Sequence, residues 1–486
     1  MPTDPKETSS AASSAASSTE PPTQPPQQTR LANPNAALRK GKNGGWRSPS
    51  GRQRHAGPMA SVARWLRIIG PGVITGAADD DPSGIGTYSQ AGASFGRSQL
   101  WLALYMLPML IAVQEMCARI GLVTDSGIAA VVRKSYSRWL LFSVVALVVI
   151  ANTLNIGADL GAMAATVQLF LPYAPYLAIV FVLALGILLL EVFVSYRRYA
   201  VVLKILSLSL LAYIATGLIV GGNSLTLLQA TFIPSIQFTP AFLALVVGVL
   251  GTTISPYLFF WQASEEVEEL KEEAGESTNA PDSGVRLRHR LHDLRIDTAL
   301  GMVFSEIATW FIIFTTGSVL FTHGVTTITT ADQAASALEP LVHTFPQAGF
   351  LAKTIFALGI FGVGLLGVPV LAGSAGYAVA EAFHWSEGLG KTANQARGFY
   401  AVIALATGVG MLLNFLHINP IQALVYSAII NGVVAVPLLI VLLLIANNRK
   451  IMGAQTNGPL ANIVGIATTL AMMAAAVGMF VTFFLP

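Results

Sequence analysis

Three consecutive carboxylates, Asp79, Asp80 and Asp81, are followed by Pro82-Ser83-Gly84 in the middle of an apolar run long enough to cross a bilayer. A carboxylate at membrane depth costs at least about 2.5–3.5 kcal/mol, so such residues mark ion pathways or binding sites. Pro82 has no amide proton and clashes with the preceding turn, while Gly84 accepts almost any backbone angle. The helix is therefore expected to open there. An opened turn frees backbone carbonyls beside a carboxylate, which is a cation site in outline.

The chain as a whole is 53% hydrophobic and 11% charged over 486 residues, with a mean hydropathy of +0.63. That balance excludes an ordinary soluble protein and points to packed membrane helices. The single cysteine, Cys117, rules out an intrachain disulfide and stands in an apolar run, as a small packing residue does. Residues 1–60 are a different material, rich in Ser, Pro and Gln and basic from Arg30 to Arg54. They read as a disordered cytoplasmic tail ahead of a transmembrane domain over 61–486. No apolar core of signal-peptide length precedes the first span, so that span is expected to serve as the insertion signal.

Apolar runs of about 20 residues predict eleven spans, near 68–92, 98–123, 138–168, 175–195, 199–220, 239–264, 296–321, 348–383, 397–416, 419–446 and 459–484. With the N-terminus inside, only Arg97 and Lys353 of the 28 Lys and Arg fall at outward ends. The positive-inside rule thus predicts a multi-pass protein of the cell membrane, N-terminus cytoplasmic and C-terminus outside. The stretch from Glu265 to Arg295 is expected to be a solvated cytoplasmic loop.

The sixth span carries a second interruption, Gly251-Thr252-Thr253-Ile254-Ser255-Pro256-Tyr257, and runs opposite to the first. Two broken helices at corresponding positions of two five-helix halves are the sequence signature of inverted-repeat transporters, with substrate held between the breaks. The plainer alternative is a pair of proline kinks. It leaves the carboxylates beside Pro82 without partners.

The run containing Gly70-Pro71-Gly72, Asp81-Pro82-Ser83-Gly84, Gln90-Ala91-Gly92-Ala93, Phe95-Gly96, Leu100-Trp101 and Ala118-Arg119-Ile120-Gly121 resembles the start of the Nramp family of divalent-metal transporters. Gly251, Thr253 and Pro256 are similar to its second signature. The resemblance covers about 61–486. It implies an all-α fold of ten helices in a leucine-transporter-type 5+5 inverted repeat, with helices one and six broken, plus one extra helix. It also implies a metal site at Asp81, Gly84, Thr252 and Ser255, with Thr252 offering its carbonyl. Where the family has Asp-Pro-Gly-Asn this chain has Asp81-Pro82-Ser83-Gly84, and where it has Met-Pro-His, Ser255, Pro256 and Tyr257 stand.

A thioether favours softer transition metals, so a hydroxyl at Ser255 removes a device that discriminates against hard cations. Gly84 in place of Asn enlarges the site. A roomier oxygen site suits Mg²⁺, which keeps several of its waters, and admits Mn²⁺. This pattern is similar to the Nramp-related magnesium transporters, a divergent branch. Mg²⁺ or Mn²⁺ is then transported substrate, with no resident cofactor. Tyr257 replaces the family's proton-linked His, and none of the seven His lies deep in a span. Uptake without proton coupling is expected: two charges moving down 100 mV release about 4.6 kcal/mol, roughly three decades of accumulation.

On a partly opened helix Asp79 and Asp80 point elsewhere, and support of a neighbour and contact with the ion are equally expected of them. Asn155 and Asp159, with Asn152, share one face of the third span by their spacing of three and four, and read as pathway lining or packing bonds. Asp159 and Glu306 read as remnants of a proton route or gates, and Asn431 as a pathway candidate. Glu115 and Glu191 lie nearer helix ends, where solvated or interfacial positions are expected. The competing classes are a proton-coupled Mn²⁺/Fe²⁺ transporter, an organic-solute carrier, an intramembrane enzyme and a non-transporting metal sensor. Asp81 would repel an anionic solute, and no His-Glu-x-x-His occurs, so no enzyme is expected. The expected partners are divalent ions and the lipid bilayer, with no nucleic acid, and the chain is expected to act as a monomer.

Overall fold

The computed structural model of the protein describes residues 75–76, 78–194, 210–276 and 283–484. The expected tail over 1–60, the Gly70-Pro71-Gly72 motif, the start of the first span and the first half of the fifth lie outside them. Every regular element among the described residues is helical. Along the chain run α1 (Pro82–Phe95), α2 (Trp101–Thr124), α3 (Ile128–Ser135), α4 (Arg138–Gln168), α5 (Tyr176–Phe193), α6 (Leu211–Val220), α7 (Ser224–Phe232), α8 (Pro240–Thr253) and α9 (Pro256–Glu276). There follow α10 (Ser283–Val319), α11 (Ala331–Ser336), α12 (Glu339–Val342), α13 (Ala348–Phe383), α14 (Arg397–Leu413), α15 (Pro420–Ala446), α16 (Arg449–Met452) and α17 (Pro459–Phe484).

Nine helical runs among the described residues are long and apolar enough to span a bilayer. They match the second, third, fourth and sixth to eleventh expected spans. The sixth is α8 and α9 together. Of the first and fifth spans, α1 and the shorter apolar helix α6 are the parts described.

Burial sorts these spans into layers. The α8–α9 run is 94% buried while α5 is only 22% buried, so the second break belongs to the centre and α5 to the rim. On α5, Phe181, Val182, Leu185 and Leu189 face outward, as lipid-facing residues do. The core packs α13 along α4, α8 along α15, and α1 along α10. Small residues allow the closest approaches, since a Cβ at Gly251 would collide with the Gly432 backbone of α15. Cys117 is buried and free.

Two expectations are corrected. The stretch from Glu265 to Arg295 is largely helical, because α9 runs to Glu276 and α10 begins at Ser283. Glu, Leu, Lys and Ala there are strong helix formers, so the charged run prolongs the membrane helix instead of ending it. Glu191 is not solvated. It shares the buried stripe of Val180, Ala184 and Ile187 on α5, and both its carboxylate oxygens lie without a hydrogen-bond partner.

Candidate cation site between the two breaks

Both breaks follow from one rule of helix chemistry. In an α-helix the carbonyl of residue i is bonded by the amide of residue i+4, and a proline there has none to give. For Ala78 that residue is Pro82, and for Thr252 it is Pro256. Each break thus releases one carbonyl in the buried centre. Helical geometry stops after Asp79 and resumes at Pro82, with Asp81 extended (φ −66°, ψ 174°); on the other span it stops at Thr253 and resumes at Pro256.

Asp81 caps α1. Its Oδ1 accepts from the Gly84 amide at 2.8 Å and from Ser83 Oγ at 2.6 Å, which stabilises the helix start as an N-cap carboxylate does. Its Oδ2 accepts from Asn155 Nδ2 at 2.9 Å, with the Tyr257 hydroxyl at 3.5 Å. Every donor around this buried carboxylate is therefore neutral. Asn155 stands between two carboxylates, since Nδ2 also reaches Asp159 Oδ2 at 3.1 Å, and its Oδ1 accepts from Asn431 Nδ2 at 3.1 Å. Asp81, Asn155, Asp159 and Asn431 thus form one chain linking α1, α4 and α15. Asn152 is apart from it and bonds the Leu371 carbonyl of α13 at 2.9 Å, a packing contact.

The second break faces the first through hydroxyls. Thr252 Oγ1 lies 3.2 Å from Ser83 Oγ, and Thr253 Oγ1 lies 2.8 Å from the Tyr88 hydroxyl. The Tyr257 hydroxyl donates to the released Ala78 carbonyl at 2.8 Å. Ser255 Oγ turns back on its own chain, 2.7 Å from the Gly251 carbonyl and 2.5 Å from that of Thr252. The Thr252 carbonyl is freed by Pro256, as expected, but Ser255 covers it. Gly84 leaves room between the breaks: a Cβ there would lie 3.4 Å from both Thr252 Oγ1 and the Asp79 carbonyl oxygen.

Asp79 and Asp80 share a partner that Asp81 lacks. Ser305 Oγ on α10 lies 2.6 Å from Asp79 Oδ2 and 3.3 Å from Asp80 Oδ1. Glu306 is within electrostatic reach of both. Two groups of sequence candidates therefore result, one around Asp81 and one around Ser305. Among the described residues no three His, Cys, Asp or Glu side chains converge as a direct chelate. The oxygens at hand are one carboxylate, two proline-released carbonyls and several hydroxyls, which is hard-cation chemistry.

Sequence reasoning missed four contributors. The Ala78 carbonyl is readable from Pro82 by the i+4 rule. Ser83 and Ser305 carry no such signal, because a serine in a helix is usually bonded to its own backbone. Gly367 on α13 permits the close approach of Asp81, since a Cβ there would come within 2.9 Å of that of Asp81.

Against this geometry the comparisons are specific. The family model described as "Natural resistance-associated macrophage protein-like" (Nramp) matches residues 72–482. The Yersinia enterocolitica protein named divalent metal cation transporter MntH is 26% identical over 429 residues, covering 84% of this chain and 93% of that one. The MntH of Aeromonas hydrophila is 25% identical, covering 82% and 92%. Among solved structures, the Eremococcus coleocola manganese transporter in complex with an aromatic bis-isothiourea compound superposes with a TM-score of 0.67 at 16% identity, covering 87% of this chain and 89% of that chain. The fold is that of this structure, and the relatives are named as transporters and not as enzymes. With the family model spanning both breaks and nearly all of the described helices, the chain belongs to the Nramp family.

Proposed function

We propose that the protein carries divalent cations across the cell membrane, with Mg²⁺ and Mn²⁺ as substrates and the membrane potential as the driving force. The observation that carries this reading is the pairing of Asp81 with the proline-released carbonyls of Ala78 and Thr252 in a site without thioether or imidazole. Mg²⁺ commonly binds through one or two carboxylates while keeping waters, and hydroxyls such as Ser83, Thr252 and Ser255 suit those waters. The cation enters by displacing neutral donors from Asp81: Asn155 and Tyr257 yield Oδ2, while Oδ1 keeps its helix-cap bonds. Tyr257 supports uncoupled movement, since a phenol with a reference pKa of about 10 holds its proton near neutrality.

The second reading is a proton-coupled Mn²⁺/Fe²⁺ carrier of the Nramp type, with which the name divalent metal cation transporter of the relatives agrees equally well. Buried Asp159, with one oxygen unpartnered, is a residue on which such coupling would depend. In both readings the chain is a multi-pass membrane protein acting as a monomer, its N-terminus cytoplasmic and its C-terminus outside.

The test is influx into liposomes holding the full chain, under a negative-inside potential, with Mg²⁺ or Mn²⁺ outside and internal pH followed. Mg²⁺ entry without acidification is expected. Mn²⁺ entry with acidification and no Mg²⁺ entry would replace this reading with the second.

A further inference from the structure

The buried carboxylates just before the break are incompletely satisfied. Asp79 and Asp80 are fully buried and Glu306 is 4% exposed. Asp79 Oδ1, Asp80 Oδ2 and both oxygens of Glu306 have no hydrogen-bond partner. Ser305 is the side chain shared by the two aspartates, and one hydroxyl has a single proton to donate. None of the three carboxylates has an ion-pair partner among the described residues. Leaving charge buried and unpaired is costly, and proteins keep such groups where an ion compensates them.

The cluster also has a direction. Asp79 and Asp80 belong to the part of the first span that precedes the break, and Ser305 and Glu306 to α10 beside it. Farther back, Thr75 donates a hydrogen bond to Gln262 Oε1, and Gln262 Nε2 donates to Glu266 at 3.0 Å. Glu266 is buried and within electrostatic reach of Asp297 on α10. Oxygen-bearing groups thus continue from Asp81 toward the ends of α9 and α10 that are joined through 277–282.

We infer that Asp79, Asp80 and Glu306 form a second cation-binding station, which receives a partly hydrated divalent cation after it leaves Asp81. This rests on the transporter reading for its direction but not for its binding chemistry. The three carboxylates do not converge as a direct chelate, so the ion retains waters that bridge to the unpartnered oxygens. Ser305 positions the two aspartates by bonding one face of each, leaving the other face for the ion. Three carboxylates in one buried place attract a divalent ion more strongly than a monovalent one.

The test is equilibrium binding of radioactive Mn²⁺ to the full chain in nanodiscs, in four variants. Asp81→Asn is expected to retain about one saturable Mn²⁺ per chain, Asp81→Asn with Glu306→Gln to retain none, and Glu306→Gln alone to keep the ion at Asp81. Retention in the double variant equal to that in Asp81→Asn would overturn the station, as would loss of all binding in Asp81→Asn while Asp81→Glu still binds. Influx into liposomes is measured separately. Residual binding in Asp81→Asn together with no influx through the wild-type chain would leave the station standing and remove the transporter reading.

Discussion

At the first break Pro82 deprives the Ala78 carbonyl of its helical donor, and at the second Pro256 does the same to Thr252. The first break adds a carboxylate at the helix start and two more behind it; the second adds only hydroxyls, one of them folded back over the carbonyl it stands beside. One device of backbone chemistry therefore yields a charged half and a neutral half. Under the proposed function the charged half attracts the divalent ion, and the side chains of the neutral half set which ion fits.

The harshest test of this inequality replaces one side chain in each half. Asp81→Ala should lower Mg²⁺ and Mn²⁺ influx at least about 100-fold, equivalent to ~2.7 kcal/mol, since it removes the carboxylate that stands at the break itself. Ser255→Ala should stay within about threefold of the wild type, because its hydroxyl makes only a modest local bond. Equal losses in the two variants would show that both halves bind the ion with comparable strength.

Asn155 tests how the charged half is held when no cation occupies it. Asn155→Leu removes the donor that Asp81 and Asp159 share, and leaving one buried acceptor short costs about 1–3 kcal/mol. A lower midpoint of thermal unfolding is expected in cation-free buffer. Added Mn²⁺ should raise that midpoint more in the variant than in the wild type, because the ion replaces the missing donor. An identical Mn²⁺ response in both proteins would separate Asn155 from the ion site.

The proposed function assigns selectivity to the neutral half. Ser255→Met introduces a thioether beside the Thr252 carbonyl and should raise Cd²⁺ influx relative to Mg²⁺ by about tenfold, ~1.4 kcal/mol of discrimination. Competition between Cd²⁺ and Mg²⁺ in the same liposomes measures the ratio directly. An unchanged ratio would mean that the side chain at 255 stays turned toward Gly251 and Thr252 while the ion passes.

Much of this inequality was legible in the chain before any coordinates. Pro82 and Pro256 announce both breaks, and Asp81 is exposed as a candidate by the cost of its charge. The spacing of Asn155 and Asp159 places them on one helix face, and the structure joins them by a hydrogen bond. What could not be read are pairings between distant segments, such as Ser305 with Asp79 or Asn155 with Asn431, because periodicity describes one helix at a time. After Glu265 the charge suggests solvent, whereas the residue types favour continued helix, and the helix prevails. Nearness to a helix end suggests solvent for Glu191, but its spacing from Val180, Ala184 and Ile187 follows one buried helical stripe, and that stripe decides its burial.

The mildest test concerns the bond by which the neutral half covers the charged half. The Tyr257 hydroxyl occupies the Ala78 carbonyl, and Tyr257→Phe removes that donor while keeping the ring that fills the buried space. The expected loss of stability is about 0.5–1.5 kcal/mol, read as a small fall in the unfolding midpoint. Influx should continue without acidification, and the half-saturating Mg²⁺ concentration should fall by a factor of about two, because an uncovered carbonyl offers the ion another oxygen. A rise in that concentration would mean that Tyr257 contacts the ion or its waters directly, and would move the residue from the cover of the site into the site itself.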